Sequence, residues 1–302
     1  MKELLDLKGI ITVLNTPFTE DDGIDTESLR KNVRLALDAG VAGYLVPAMA
    51  SEVEKLTEYE RELLVRTTLE EIGDKATVIG GGSASTQEER LRLTESLTAL
   101  GCHGVLVSIP YDNDEQYESD VKGVATLNPG FLMLQDWDFT GYGVPVPLIA
   151  RLFEEIDVFR CLKVEVVPAG AKYTEVLNAT QGRLHVSGGW AEGQMIEGLD
   201  RGVHAFMPTG MHSIYTRIYN LHQEGQREAA QALFRRLLPV TAFSNQHLDI
   251  SIHFLKRLLH KQGIYATDRV REPILPFDEY HVRIADELID LVQAITADIE
   301  QE

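Results

Sequence analysis

Residues 158–164 read VFRCLKV, a short and mostly apolar run that carries one lysine, Lys163, near its end. Such runs are typical of strands that are buried on both faces of a parallel sheet. Seven further short runs are bounded, like this one, by Gly, Pro or Ser or by helical stretches. They span residues 9–14, 43–46, 76–79, 104–107, 131–134, 184–186 and 205–207. The chain is therefore predicted to contain eight short strands.

Stretches with the apolar spacing of amphipathic helices separate these runs, for example residues 29–39, 59–72 and 87–100. Eightfold alternation of strand and helix predicts an α/β fold, a closed (β/α)8 TIM barrel. An open doubly wound sheet is the alternative, and it normally carries a nucleotide-binding fingerprint after its first strand. The segment LNTPFTEDDG at residues 14–23 contains no such fingerprint.

After about Tyr215 the pattern becomes wholly helical, with amphipathic stretches at residues 226–238, 246–260 and 278–299. We therefore expect a C-terminal three-helix extension. The expected domains are a catalytic barrel at residues 1–222 and a helical extension at residues 223–302, packed on the barrel.

The composition excludes several classes of function. The 302 residues include 47 Asp and Glu against 28 Lys and Arg, a net charge of -19, which argues against a nucleic-acid partner. Cys102 and Cys161 are too few for a disulfide framework, and the histidines form no metal-binding pattern, so no metal site is expected. No signal peptide and no apolar run of ~18 residues is found, so we expect a cytoplasmic protein without a membrane partner.

Lys163 is the first candidate for chemistry, because an ammonium group is costly to bury in an apolar strand. Burial favours the neutral amine, which can attack a ketone and form an imine. The protonated imine then withdraws electrons from the neighbouring carbon of a 2-keto acid. The structural alternative is a lysine that pairs with Glu165 or extends out of the barrel. The isolated strand leaves both interpretations open.

The whole chain resembles the dihydrodipicolinate synthase/N-acetylneuraminate lyase family, as a divergent member. Segments in matching order carry the resemblance along most of the sequence. They are TPF (16–18), VPAMASEVEKLTEYER (46–61), VSIPYDN (107–113), CLKVE (161–165), VSGGW (186–190) and GVHAFMPTG (202–210).

The resemblance implies that Lys163 forms a Schiff base with pyruvate or a related 2-keto acid, so that the chain is a lyase or aldolase. No cofactor is implied beyond this covalent imine, and the only ligand implied is a small-molecule 2-keto acid. The family also implies a homotetramer built as a dimer of dimers. Tyr111 matches a loop from which a tyrosine crosses a subunit interface, and it is a candidate proton relay; its structural alternative is a packed aromatic at a dimer contact.

Three departures from the family pattern affect the expected site. Met49 and Ala50 replace the paired hydroxyl residues that bind the keto-acid carboxylate, which leaves Ser51 and backbone amides for that role. The position of the catalytic tyrosine aligns with Leu134. Phe139 replaces an arginine used by true dihydrodipicolinate synthases, so activity in lysine biosynthesis is not expected.

Asp136 is the candidate acid or base in place of the missing tyrosine, because it follows a strand at the end where barrel active sites form. Its structural alternative is a cap on the following loop. Trp190 either walls the pocket or fills the barrel rim. The remaining candidates for substrate binding lie at other strand ends, namely Thr16, Gln135, Ser187, Gly188 and Thr209.

Three functions remain open at this point. The first is a lyase or aldolase that acts on a 2-keto acid through Lys163. The second is a 2-keto-3-deoxy sugar acid dehydratase that uses the same lysine. The third is a barrel that binds a keto acid but has lost catalysis, which the missing tyrosine and the Met49–Ala50 pair favour.

Overall fold

Eight strands close into a barrel in chain order in the computed structural model, which describes residues 4, 7–189 and 193–301. Strands β1 to β8 span Gly9–Val13, Gly43–Val46, Thr77–Gly81, Gly104–Ser108, Leu132–Asp138, Phe159–Val166, His185–Gly188 and Ala205–Phe206. Neighbouring strands pair in parallel, as in β4 with β5 and β6 with β7. The predicted (β/α)8 barrel is confirmed.

Each strand is followed by a helix, and three more helices complete the described part of the chain. Helices α1 to α8 span Thr26–Asp38, Glu58–Ile72, Gln87–Leu100, Asp114–Ala125, Val146–Glu155, Ala169–Ala179, Met195–Asp200 and His212–Gln223. Helices α9 to α11 span Arg227–Ser244, Leu248–Lys261 and Glu279–Glu300, which confirms the predicted helical extension.

Side-chain caps fix where several helices begin. Thr57 and Glu60 form a reciprocal capping box at the start of α2, and Asn113 accepts a hydrogen bond from the Gln116 amide at the start of α4. These bonds satisfy amides that have no partner within the first turn of a helix. Local sequence therefore determines these helix starts without help from the rest of the fold.

The chain forms two compact units. One comprises Met1–Gly9 and Thr77–Met207, and its core contains Leu106, Leu162 and Phe206. The other comprises Ile10–Ala76 and Pro208–Glu302, and its core contains Leu29 and Phe254. The domain boundary expected between residues 222 and 223 falls at the end of α8, and it stays a prediction.

Strands β5 and β6 are the longest, and both run further than their apolar runs predicted. Their residues pair from Leu132 with Phe159 to Asp138 with Val166. The added residues are largely polar, and they lie at the carboxyl ends of the strands. Active sites of this fold form at that end, so the extra length extends a paired surface where chemistry is expected.

Candidate functional site

Lys163 lies near the carboxyl end of β6 and is almost completely buried. Its Nζ lies 3.0 Å from Oε1 of Glu165, two residues further along the strand. Side chains two apart in a strand point to the same face, so β6 itself brings the amine and the carboxylate together. The pairing with Glu165 that the sequence offered as an alternative is present, and it does not remove Lys163 from a chemical role.

Gln135 completes this group from the neighbouring strand. It pairs in register with Lys163, and its Nε2 donates a hydrogen bond to Oε2 of Glu165. The Glu165 carboxylate thus has the lysine at one oxygen and the amide at the other. Of the predicted substrate-binding residues, Gln135 is one that the structure brings to the lysine.

The end of β7 leaves room for this carboxylate because residue 189 is a glycine. A Cβ on Gly189 would lie only 2.1 Å from Glu165 Oε1. Any other residue there would push the carboxylate away from Lys163. Gly188 has a different role, since its Cβ would lie 2.7 Å from Phe206 Cε1 and from the Tyr173 hydroxyl. Gly188 therefore permits close packing of core side chains.

Asp136 points away from this group, because it alternates with Gln135 along β5. One of its oxygens lies 2.7 Å from Nζ of Lys172 in α6, and the other accepts a hydrogen bond from the Val144 amide at 2.9 Å. Burial raises the pKa of the Asp136 carboxyl, against the opposing effect of Lys172. The structure does not bring Asp136 to Lys163. The carboxylate beside the lysine is that of Glu165, and the acid–base role expected of Asp136 stays a prediction.

Ser187 lies in the same layer as Lys163, since the two residues pair in register. Its side chain is fully buried, and its hydroxyl donates to Met207 Sδ at 3.4 Å and approaches the Leu162 carbonyl. Ser187 is therefore close to the lysine in the sheet, while its hydroxyl is engaged within the core.

Tyr111 follows β4 and is partly exposed. Its hydroxyl donates to Asp114 Oδ1 at 2.6 Å, and this bond raises the pKa of the phenol. Its ring packs edge-on against Tyr117, with 5.8 Å between the centroids. These contacts fix the orientation of Tyr111, and its role as a proton relay stays a prediction. Trp190 lies outside the described residues.

The segment at residues 48–52, which by resemblance is expected to bind the keto-acid carboxylate, lies in the other unit. Thr16 Oγ1 donates to the Ser51 carbonyl at 2.6 Å, and Ser51 Oγ donates to the Leu14 carbonyl. Both hydroxyls are fully buried, so the structure uses them to hold the segment. Thr209 is half-buried and forms a β-bridge with Val13.

Residues of the C-terminal extension also hold this segment. These contacts were not apparent from the sequence. Glu52 is buried with a left-handed backbone (φ 56°), and its carboxylate pairs with Lys256 of α10 and Lys55. The same carboxylate accepts a hydrogen bond from the Arg271 amide at 3.0 Å. Burial lowers the pKa of Lys256 to about 8, although Glu52 acts in the opposite direction.

A chain of buried hydrogen bonds also reaches this segment. His212 bonds to Thr12 and Asn32, each at 3.1 Å, and Asn32 donates to the Tyr265 hydroxyl at 3.1 Å. Tyr265 then donates to the Asn15 carbonyl at 3.0 Å. Asn15 in turn donates to the Ala50 carbonyl at 2.7 Å. Buried residues that lie far away in sequence therefore hold this segment in place.

Among the described residues, no three or more His, Cys, Asp or Glu side chains form a group that could hold a metal ion. No helix in this part of the chain is long and apolar enough to cross a membrane.

Comparison with known proteins gives a consistent family. The model of the dihydrodipicolinate synthetase family matches residues 6–293. An L-2-keto-3-deoxyarabonate dehydratase from Azospirillum brasilense is 25% identical over 281 residues, 88% of each chain. A 4-hydroxy-tetrahydrodipicolinate synthase from Stenotrophomonas maltophilia (strain K279a) is 25% identical over 300 residues, 97% of this chain and 99% of that one. The crystal structure of dihydrodipicolinate synthase from Rhodopseudomonas palustris superposes with a TM-score of 0.86 at 22% identity and covers 95% of this chain and 97% of that one.

Proposed function

Because the chain belongs to the dihydrodipicolinate synthetase family, we propose that it is a lyase that acts on pyruvate or a related 2-keto acid through an imine on Lys163. The observation that carries the proposal is the buried contact of 3.0 Å between Lys163 Nζ and Glu165 Oε1. A carboxylate at this distance can accept a proton from the ammonium and leave the amine free to attack.

Imine formation then follows from this pair. Glu165 accepts a proton from Lys163, and the neutral amine adds to the C2 ketone. A proton then passes from the new ammonium nitrogen to the C2 oxygen, which gives a carbinolamine with a C2 hydroxyl. Glu165 returns the proton to the C2 hydroxyl, which leaves as water, and a protonated imine remains. Gln135 holds the carboxylate in place through its hydrogen bond to the other oxygen. The protonated imine serves as the electron sink, so we propose that no metal or organic cofactor takes part.

Aldol cleavage uses the same carboxylate a second time. Glu165 removes the proton of a C4 hydroxyl, the C3–C4 bond breaks, and an aldehyde leaves while the electron pair forms an enamine. Protonation of C3 by Glu165 and hydrolysis of the imine then release pyruvate and regenerate Lys163. Each proton that Glu165 accepts is returned within the cycle, so the pair carries the reaction without a tyrosine at position 134.

Dehydration of a 2-keto-3-deoxy acid is the second candidate reaction. Glu165 would remove a proton from C3 and return it to the C4 hydroxyl, which leaves as water. Two observations favour it: the carboxylate stands on the strand of the lysine itself, and an L-2-keto-3-deoxyarabonate dehydratase is among the relatives. We propose that the protein works in the cytoplasm as a homotetramer, a dimer of dimers, with no membrane or nucleic-acid partner.

Reductive trapping tests the proposal. The protein is incubated with pyruvate, reduced with borohydride and analysed by peptide mass spectrometry. We expect the mass gain of one reduced pyruvate on the peptide that contains Lys163. Lys163→Arg keeps a cation beside Glu165 and should show no gain, whereas the surface variant Lys75→Arg should label like the parent. Absence of an adduct with pyruvate and with longer 2-keto acids would leave only a barrel that binds keto acids without catalysis.

A further inference from the structure

The face of β5 and β6 that carries Lys163 changes from buried and polar to exposed and apolar toward the carboxyl ends of the strands. Gln135 pairs with Lys163, and Trp137, the next residue on that face, pairs with Glu165. Gln135, Lys163 and Glu165 are each less than 9% exposed, whereas Trp137 is 49% exposed. The face therefore begins with a buried polar group and ends with an exposed indole.

A second ring extends this apolar surface. Phe139 is 43% exposed, and its ring meets that of Trp137 edge to face, with centroids 5.4 Å apart and an interplanar angle of 69°. The contact places Phe139 on the same side as Trp137. Val167, which follows β6, is 58% exposed as well. Large exposed apolar side chains beside a candidate site, such as the Trp137–Phe139 ring pair, indicate a ligand or partner surface.

The polar groups of the same strand ends are engaged within the chain. Asp138 accepts hydrogen bonds from the amides of Thr140, Gly141 and Gly143. The Tyr111 hydroxyl donates to Asp114. Asp138 and Tyr111, two polar side chains at these strand ends, are thus engaged with the loops that follow β5 and β4.

We infer that the substrate is a 2-keto acid whose substituent at C4 is aromatic or otherwise flat and apolar, held against Trp137 and Phe139. The inference rests on the proposed imine at Lys163. With the keto carbon at Lys163, the chain beyond C4 extends along the face toward the two rings. An edge-to-face ring pair offers an aromatic group both apolar area and favourable ring geometry. A polyhydroxylated chain held against the two rings would lose water contacts that the ring faces do not replace.

Three substrates that share C1 to C4 test the inference. All are 4-hydroxy-2-keto acids, and the C4 substituent is phenyl, methyl or 1,2-dihydroxyethyl. Loss of each substrate is followed by chromatography, which detects aldol cleavage and dehydration alike. We expect kcat/KM to be highest for the phenyl compound. Trp137→Ala should lower that value at least about tenfold and change the value for the methyl compound by less than about twofold.

Controls separate this inference from the proposed function. Trp137→Phe should retain most of the preference, and Tyr59→Ala, which removes an exposed ring from α2, should leave all three values unchanged. A preference for the dihydroxyethyl compound would overturn the inference, and so would an equal loss of kcat/KM for all three compounds in Trp137→Ala. In both cases continued trapping of pyruvate on Lys163 would leave the proposed function standing, whereas loss of trapping in the parent protein would remove both.

Discussion

Glu165 is a residue at which a small change tests the proposed proton transfer. Glu165→Gln keeps the shape of the side chain and removes its ability to accept a proton from Lys163. We expect turnover to fall about a hundredfold to ten-thousandfold, the usual range for loss of a general acid–base group. Steady-state kinetics with a cleavable 2-keto acid checks this, and the kcat value should fall more than KM rises. Turnover within a few-fold of the parent would assign the proton transfers to another group.

Asp136 should respond in the opposite way, because it pairs with Lys172 behind the strand. Asp136→Asn leaves a buried ammonium without its counter-ion, which typically costs about 3–5 kcal/mol in the free energy of unfolding. Urea denaturation measures that loss. Turnover per folded molecule should stay within about twofold of the parent. A large fall in turnover at unchanged stability would restore the acid–base role that the sequence suggested.

Sequence alone separated these residues only in part. Lys163 is recognisable in the sequence because burying an ammonium group in an apolar strand is unfavourable unless a partner or a function compensates for it. Glu165 follows Lys163 by two residues in one strand, so the sequence places the two side chains on one face. The side that Asp136 faces depends instead on how far β5 extends and on its register. The apolar runs defined β5 as residues 131–134 and gave no evidence that it continues through Asp138. Without that polar continuation, the sequence cannot show that Gln135 pairs with Lys163 while Asp136 pairs with Val164.

At the scale of elements, a buried ion pair between Lys256 and Glu52 joins α10 to the segment at residues 48–52. Lys256→Met leaves the buried Glu52 carboxylate without its main counter-ion, and we expect a loss of about 3–5 kcal/mol in the free energy of unfolding. Lys261→Met on the same helix breaks a more exposed pair with Asp286 and should cost about 1 kcal/mol or less. Urea denaturation of both variants tests the contrast, and equal losses would contradict it.

The helices of the extension were predictable from their amphipathic spacing, but their contacts were not. Lys256 and Tyr265 carry no local sign that they reach residues near the N-terminus. A buried lysine on an amphipathic helix has the same appearance in sequence as a lysine on its solvent-facing side. Pairing across more than 200 residues is a property of the tertiary fold, and one sequence contains no measure of it.

At the scale of the whole molecule, acid should destabilise the fold in two stages. Burial lowers the pKa of His212 to about 4, so the unfolded chain binds more protons as pH falls from about 6.5 to 4 and stability declines. The Arg271 guanidinium lowers the pKa of Glu60 to about 2, so its contribution is fully present above about pH 4.5 and is lost as pH falls toward 2.

Urea midpoints measured from pH 7 to pH 3 check this pH dependence. They should fall across the whole range, and His212→Gln should flatten the part between pH 6.5 and 4. Arg271→Gln should flatten the part below pH 4.5. Parallel curves for the parent and both variants would show that other groups govern the acid response.

Two partners of Glu52 are synthesised long after it. Lys256 follows Glu52 by 204 residues, and Arg271 follows it by 219. A ribosome that has translated all eight strands, and Lys55 with them, has not yet made Lys256, the fully buried cation that pairs with this carboxylate. We therefore expect the 48–52 segment to take its final position only after α10 has been synthesised.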